Sequence, residues 1–129
     1  MPTILVVEDE AATRRPLARL LRNEGYTVAT AVNAYEAMAG IRTLKPDLIL
    51  MDVGIPPMDG LTCLMLLQQE DPANRIPVIL VTGFSDENTI ARGQQMNVKA
   101  HLVKSQFTVD ELMGLVRKHA GPAQAGASS

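Results

Sequence analysis

The sequence predicts an α/β fold: a doubly wound (βα)5 domain whose five-stranded parallel sheet runs in the order 2-1-3-4-5. Two observations carry this. Five short apolar runs alternate with longer segments of helical period. Four of those runs are almost uniformly apolar, as expected of parallel strands covered by helices on both faces. The 129 residues suffice for one domain with its own core, and aromatics are so scarce (3%) that the core must be aliphatic and Met-filled.

The first strand is Ile4-Leu5-Val6-Val7. The helix after it shows an apolar stripe of Leu17, Leu20 and Leu21 and stops at Gly25. Pro16 falls inside that pattern and removes a backbone donor. Either the helix starts near Thr13, with Pro16 in its first turn, or it kinks. Tyr26 to Ala31 is mixed in polarity and reads as an edge strand. Asn33 and Glu36 form a capping-box-like start for the second helix, whose inner face is Ala34, Ala37, Met38 and Ile41. Leu48 to Met51 is the third strand. Asp59 is placed to cap the third helix, which carries Leu61, Leu64, Met65 and Leu67. Val78 to Val81 is the fourth strand, and Ser85 or Asp86 can cap the helix after it. That helix is weak, with Gly93 in its middle and only Ile90, Ala91 and Met96 apolar. Ala100 to Val103 is the fifth strand. Thr108 and Glu111 cap the last helix, with Leu112, Leu115 and Val116 inside. Residues 121–129 are Gly, Ala, Ser, Pro and Gln without a pattern, so the domain is expected over 1–120 and a flexible tail or linker stub beyond.

Net charge is −2 and the isoelectric point about 5.6, which gives no support to direct nucleic-acid binding or to an anionic membrane surface. No apolar stretch approaches the length of a membrane span. Cys63 is the only cysteine, so no internal disulfide can form; a reducing cytoplasm is the expected location and a small core residue the expected role.

The chemistry gathers at strand ends. In a doubly wound sheet, ligands bind at the carboxyl ends of the strands beside the switch point between strands 1 and 3. There the chain carries Glu8-Asp9, with Glu10 next, then Asp52, Thr82 and Lys104. Asp52 ends an unbroken apolar run and is costly to desolvate unless something binds it. Three acids within a few ångströms repel until one stays protonated or a hard divalent cation joins them. Mg2+ fits, taking oxygen ligands and keeping waters. Asp9 and Asp52 are the expected ligands, with Glu8 direct or through water and the backbone carbonyl of Gly54 a further one. Lys104 supplies a fixed positive charge. Such a set suits phosphoryl transfer, with Asp52 as nucleophile, Thr82 donating its hydroxyl to a phosphoryl oxygen, and Gly83 leaving room and offering a backbone N–H. Asp52 is expected to remain unsatisfied until metal and phosphate arrive. Each residue alone has a plainer reading as a cap, a strand residue or a solvated charge; convergence of four strand ends outweighs it.

The chain resembles the response-regulator receiver domain, whose single-domain members include the chemotaxis regulator. The resemblance rests on Ile4 to Glu10, Pro46 to Asp52, Met58-Asp59-Gly60, Pro77 to Gly83, and Lys104. It implies a flavodoxin-like fold and a role in two-component signalling. Asp52 would accept phosphate from a sensor histidine kinase or phosphotransfer protein, Glu8 and Asp9 would hold Mg2+, Thr82 would be the switch hydroxyl, and Lys104 would pair with the phosphoryl group. The domain would catalyse its own charging and discharge without being an enzyme in the ordinary sense. Its output would be a changed surface on helix 4, strand 5 and helix 5 that binds a downstream protein, in a monomer or a weak dimer formed through that surface. Three departures stand out. Ser105 follows Lys104 where most members have Pro; Pro57 replaces a commoner Gly; and His101 sits where an aromatic switch residue is usual. The run Lys104-Ser105-Gln106-Phe107 also looks like receivers attached to chemotaxis-type kinases. Rival readings are a domain cut from a larger regulator or hybrid kinase, a phosphorylation-independent binding module, and an aspartyl-phosphate phosphatase. The phosphatase would want an acid where Gly54 stands.

Overall fold

A computed structural model describes residues 2–54, 58–70, 76–83 and 87–123. The five strands are β1 (Thr3–Val7), β2 (Thr27–Ala31), β3 (Leu48–Met51), β4 (Val78–Thr82) and β5 (Val98–Val103). The helices are α1 (Ala11–Asn23), α2 (Ala34–Leu44), α3 (Gly60–Glu70), α4 (Glu87–Gln94) and α5 (Val109–Ala120). All strand pairs are parallel and the order is β2-β1-β3-β4-β5, as expected.

Alternation along the strands builds two cores, one on each face of the sheet. Leu5, Val7, Ile49, Met51 and Leu80 pack against Ala37, Ile41, Leu61 and Leu64 from α2 and α3. Ile4, Val6, Leu48, Leu50, Ile79 and Val81 pack against Leu17, Leu21, Leu112 and Val116 from α1 and α5. Cys63 is fully buried in the first core, and burial pushes its thiol up to about 11, so it is an inert core residue. β2 is the partly exposed edge.

The helix starts follow the local chemistry with two differences. Thr108 and Glu111 form a complete capping box on α5. Asp59 caps α3 by accepting from the Thr62 amide at 2.7 Å. Asn33 accepts from the Glu36 amide, but Glu36 reaches back to the Val32 N–H rather than to that of Asn33, so the box is displaced by one residue. α1 begins at Ala11, not near Thr13, because the Glu10 carbonyl already accepts from the Thr13 and Arg14 amides; Pro16 therefore lies inside the helix. The caps expected from Ser85 and Asp86 lie outside the described residues, as does Pro57. Gly121 and Ala123 belong to the packed domain. The Tyr26 hydroxyl donates to the Gly121 carbonyl at 2.8 Å, and Ala123 packs against the second core. Residues 124–129 of the expected tail lie outside the described residues.

Gly60 fixes the end of β3 against α3. Its amide donates to the Val53 carbonyl at 2.7 Å, and a Cβ there would meet the Asp52 carbonyl oxygen at 2.7 Å and the Met51 sulfur at 2.8 Å. Backbone must then move. Gly60→Ala is expected to cost on the order of 2 kcal/mol in denaturant unfolding despite alanine's better helix propensity. Wild-type stability in that variant would show that the turn can open without cost.

Candidate functional site

Strand pairing sets the frame. The Asp52 amide donates to the Val7 carbonyl, which brings the ends of β1 and β3 side by side, and the Glu8 amide donates to the Ala31 carbonyl at the end of β2. The Lys104 amide donates to the Thr82 carbonyl at 2.8 Å and brings the end of β5 to the end of β4.

Lys104 is the centre of the site. Its Nζ lies 2.9 Å from Glu8 Oε2, 2.9 Å from Glu10 Oε1 and 3.1 Å from Asp52 Oδ2. Glu8 and Asp52 are both buried, at 2% and 8% exposure. The second oxygen of Glu8 accepts from the Glu10 amide, and Asp52 Oδ1 accepts from the Gly54 amide, both at 3.1 Å. Both oxygens of Asp52 thus have partners, so the expectation of an unsatisfied carboxylate is corrected: the lysine and a turn amide hold it in place.

One carboxylate oxygen from each of Glu8, Glu10 and Asp52 lies within 4.8 Å of the other two. Asp9 does not join this group; its side chain is exposed and its carbonyl accepts from Arg14. Glu10 was legible only as a neighbour. Its spacing of two residues from Glu8, along extended backbone leaving β1, is the signal that returns it to the same side. Arg14, which clamps the Glu8 and Asp9 carbonyls at 3.0 and 3.2 Å, carries no such signal.

Burial is the main force raising Glu8, whose carboxyl moves from its usual 4.5 to about 7; the nearby Asp52 charge adds to it, while Lys104 and the Glu10 amide oppose it. Repulsion among the acids is therefore the lesser cause of protonation. Burial would depress the Lys104 ammonium, but its bonds to Glu10, Glu8 and Asp52 outweigh this and raise it above its ordinary value. With Lys104 charged and the three acids ionised, the group carries two uncompensated negative charges. An all-oxygen donor set with that charge fits a hard divalent cation.

Thr82 is buried at the end of β4 and pairs with Val103. Gly83 is exposed beside it, and a Cβ there would meet nothing within 4 Å among the described residues. His101 pairs with Leu80, which puts it two pairs back from Thr82 and so on the same face of the sheet. It lines a groove with Thr89, Ile90 and Gly93 of α4. The Lys104-Ser105 segment closes a turn, the Gln106 amide donating to the Val103 carbonyl at 2.9 Å.

Residues 4–117 match the family model of the response regulator receiver domain. The chain belongs to this family. It is 37% identical over 112 residues to the transcriptional regulatory protein PdtaR of Mycobacterium tuberculosis, covering 85% of this chain and 52% of that protein. It is 31% identical over 116 residues to sporulation initiation phosphotransferase F of Bacillus subtilis, covering 90% and 91%. The chain spans about half the length of the first curated relatives it matches. In fold it is similar to a CheY-like receiver domain protein from Methanospirillum hungatei, with TM-score 0.84 at 24% identity over 98% of this chain and 99% of that one. It is likewise similar to the Vibrio cholerae chemotaxis protein CheY4, with TM-score 0.83 at 24% identity over 92% and 98%. This receiver domain is of the kind found in two-component response regulators, where receivers meet histidine kinases or phosphotransfer proteins. Among the described residues no helix is long and apolar enough to cross a membrane.

The raised Glu8 carboxyl has a consequence for stability. Between about 4.5 and 7 the folded state holds a proton that the unfolded chain has lost, so stability conferred by the neutral acid is full below 4.5 and lost as pH rises through 7. In chelator, urea unfolding of wild type is expected to weaken from pH 5 to pH 8 by roughly 2–4 kcal/mol more than that of Glu8→Gln. Parallel pH slopes for the two proteins would mean that Glu8 is already ionised in the folded state.

Proposed function

We propose that the receiver domain, residues 1–120, is a Mg2+-dependent phosphoacceptor in a cytoplasmic two-component pathway, with Asp52 as the residue phosphorylated. The observation that carries this reading is the convergence of Glu8, Glu10, Asp52 and Lys104 at the strand ends. Mg2+ would be held by Asp52 with Glu8, Asp9 and the Gly54 carbonyl, Glu10 being a further candidate because it shares the carboxylate group; when bound, it neutralises charge on the phosphoryl oxygens.

The chain's own residues do the rest. A carboxylate oxygen of Asp52 attacks the phosphorus of a phosphohistidine; the new P–O bond forms as the P–N bond breaks, and the departing imidazole nitrogen keeps the electron pair. Lys104 already lies against Asp52 Oδ2 and moves with little displacement to a phosphoryl oxygen. Thr82 donates its hydroxyl and Gly83 its amide to the remaining oxygens. Among the described residues nothing crowds the place where a Gly83 side chain would stand, which leaves room for the group. Attack of water on the same phosphorus later restores Asp52. A groove of about 320 Å³ between α1 and α5, lined by Ala12, Pro16, Leu20, Phe107 and Val109, opens beside Lys104 and gives a protein donor an apolar surface to rest on.

The output is read on the α4–β5–α5 surface. His101 lies on the Thr82 face of β5 and moves inward when the Thr82 hydroxyl turns toward phosphate. The downstream target is a protein, met by a monomer or a weak dimer through that surface. The chain covers 52% of PdtaR and 91% of sporulation initiation phosphotransferase F, so the relatives fit both a receiver within a larger regulator and a stand-alone one; the length of the native open reading frame decides it.

Acetyl phosphate with Mg2+ is expected to add one phosphoryl group to wild type by intact mass, and none to Asp52→Asn or to wild type in chelator. Modification that persists in Asp52→Asn would sink the assignment. In His101→Ala, phosphorylation is expected to proceed while the phosphate-dependent amide shifts of α4 and β5 shrink. Unchanged shifts would remove His101 from the readout.

A further inference from the structure

Helix α1 carries Arg14, Arg15, Arg19 and Arg22, and no acidic residue falls between Glu10 and Glu24. All fourteen acids of the chain lie outside the helix, against eight remaining basic residues. Charge is therefore segregated, positive on one helix of a chain whose net charge is −2.

This works against the helix itself. Arg15 and Arg19 are like charges one turn apart, which destabilises a helix. Arg14 and Arg15 stand near the positive end of the helix dipole, and the first turn has no acid to offset them. Among the described residues the ion pairs use Arg42, Arg92, Lys104 and Arg117; none uses an α1 arginine, nor Lys45, Lys99 or Lys118.

The four arginines line one cleft of about 480 Å³ that opens toward Thr30 of the edge strand β2. The two outer ones are fixed to backbone, Arg14 on the Glu8 and Asp9 carbonyls and Arg22 on the Val28 carbonyl at 3.1 Å. The two inner ones, Arg15 and Arg19, are exposed and have no hydrogen bond or ion pair from their side chains among the described residues.

We propose that this stripe is a docking surface for an acidic helix of a partner protein, presenting carboxylates at i and i+4. Arg15 and Arg19 are separated by ~6 Å along the axis, the same rise that separates such carboxylates on a facing helix. Each guanidinium can take a carboxylate through two parallel hydrogen bonds. A nucleic acid fits less well. The stripe is bounded by Asp9 and Glu10 at one end and Glu24 at the other, so a strand that outruns it meets like charge. The remaining lining residues, Ala18, Asn23 and Thr30, offer no ring for a base to stack on. A membrane surface would need apolar residues beside the arginines, and the cleft has only Ala18. None of the lining residues belongs to the acid cluster around Asp52, so the proposal does not rest on phosphoryl transfer.

The test uses the full chain and a fluorescent alanine-rich helical peptide with glutamates at i, i+4 and i+7 on one face, followed by anisotropy. Wild type is expected to bind it at low salt, more weakly as salt rises. Arg15→Glu/Arg19→Glu is expected to lower the affinity by roughly tenfold or more, with phosphorylation by acetyl phosphate unchanged. The same glutamates in a peptide interrupted by proline should bind wild type less tightly, and amide shifts on adding the helical peptide should map to α1 and Thr30. Equal affinity for wild type and the reversed pair overturns the proposal. So does tighter, arginine-dependent binding of single-stranded RNA or of phosphatidylglycerol vesicles, either of which would reassign the stripe. Should charge reversal unfold the protein, Arg15→Gln/Arg19→Gln must still lower the affinity, and unchanged affinity there is equally fatal.

Discussion

The ammonium of Lys104 is the interaction on which the site depends. Glu8 and Asp52 are buried at the ends of adjacent central strands, where two ionised carboxylates without a counter-charge would be strongly unfavourable. One cation placed about 3 Å from both, and from Glu10, makes the arrangement tolerable. It arrives there because β5 pairs with β4, and β4 with β3, all in parallel; beyond a register shift between Val78 and Ile79 the β4–β5 pairing runs unbroken to Thr82 and Val103, and the bond from the Lys104 amide to the Thr82 carbonyl extends it one step past the strand. The tolerance is incomplete. Burial still raises the Glu8 carboxyl to about 7 despite Lys104, with the Asp52 charge adding to it. A group that supplies positive charge stabilises it, and a group that displaces Lys104 from Asp52 must replace what the lysine gave.

The fold was legible because its signals were redundant. Continuous apolar runs, two-sided burial and right-handed crossovers lead to the same sheet order, and the two cores alternate along each central strand as that reading requires. Caps were legible where a side chain reaches its own neighbourhood, as at Thr108 and Asp59, and failed by a residue at Glu36, whose long flexible side chain accepts from the Val32 amide instead of that of Asn33. Of the two readings that Pro16 left open, the structure excludes a start near Thr13: Pro16 lies inside α1, and Leu17 and Leu21 hold the helix on the sheet just after it. In the site, strand-end position was enough to mark Glu8, Asp52, Thr82 and Lys104. Which acid of the Glu8-Asp9-Glu10 run turns inward depends on the dihedral angles of the residues leaving β1, and no composition rule encodes that. Glu10 joins the group and Asp9 faces out for that reason.

One further contact links the turn after Asp52 to the short helix α4. α4 is only eight residues long, and its Gly93 lies so close to Val98 that a Cβ would sit 3.3 Å from that side chain. The arginine of this helix, Arg92, crosses to α3 and donates to both oxygens of Asp59 at 3.2 Å and to the Thr62 hydroxyl at 3.4 Å. Burial would raise the Asp59 carboxyl, but the Thr62 amide and Arg92 hold it below its usual value. Asp59 thus caps α3 and anchors α4 at once, seven residues after Asp52 and next to the Gly60 that touches its carbonyl. The pair is more than a third exposed on both sides, so it contributes under ~1 kcal/mol. An element tied this weakly to the turn that carries Asp52 can shift at small cost, yet it cannot shift without altering the contacts of Asp59. That combination of weak holding and direct linkage is what a conformational readout on α4 requires.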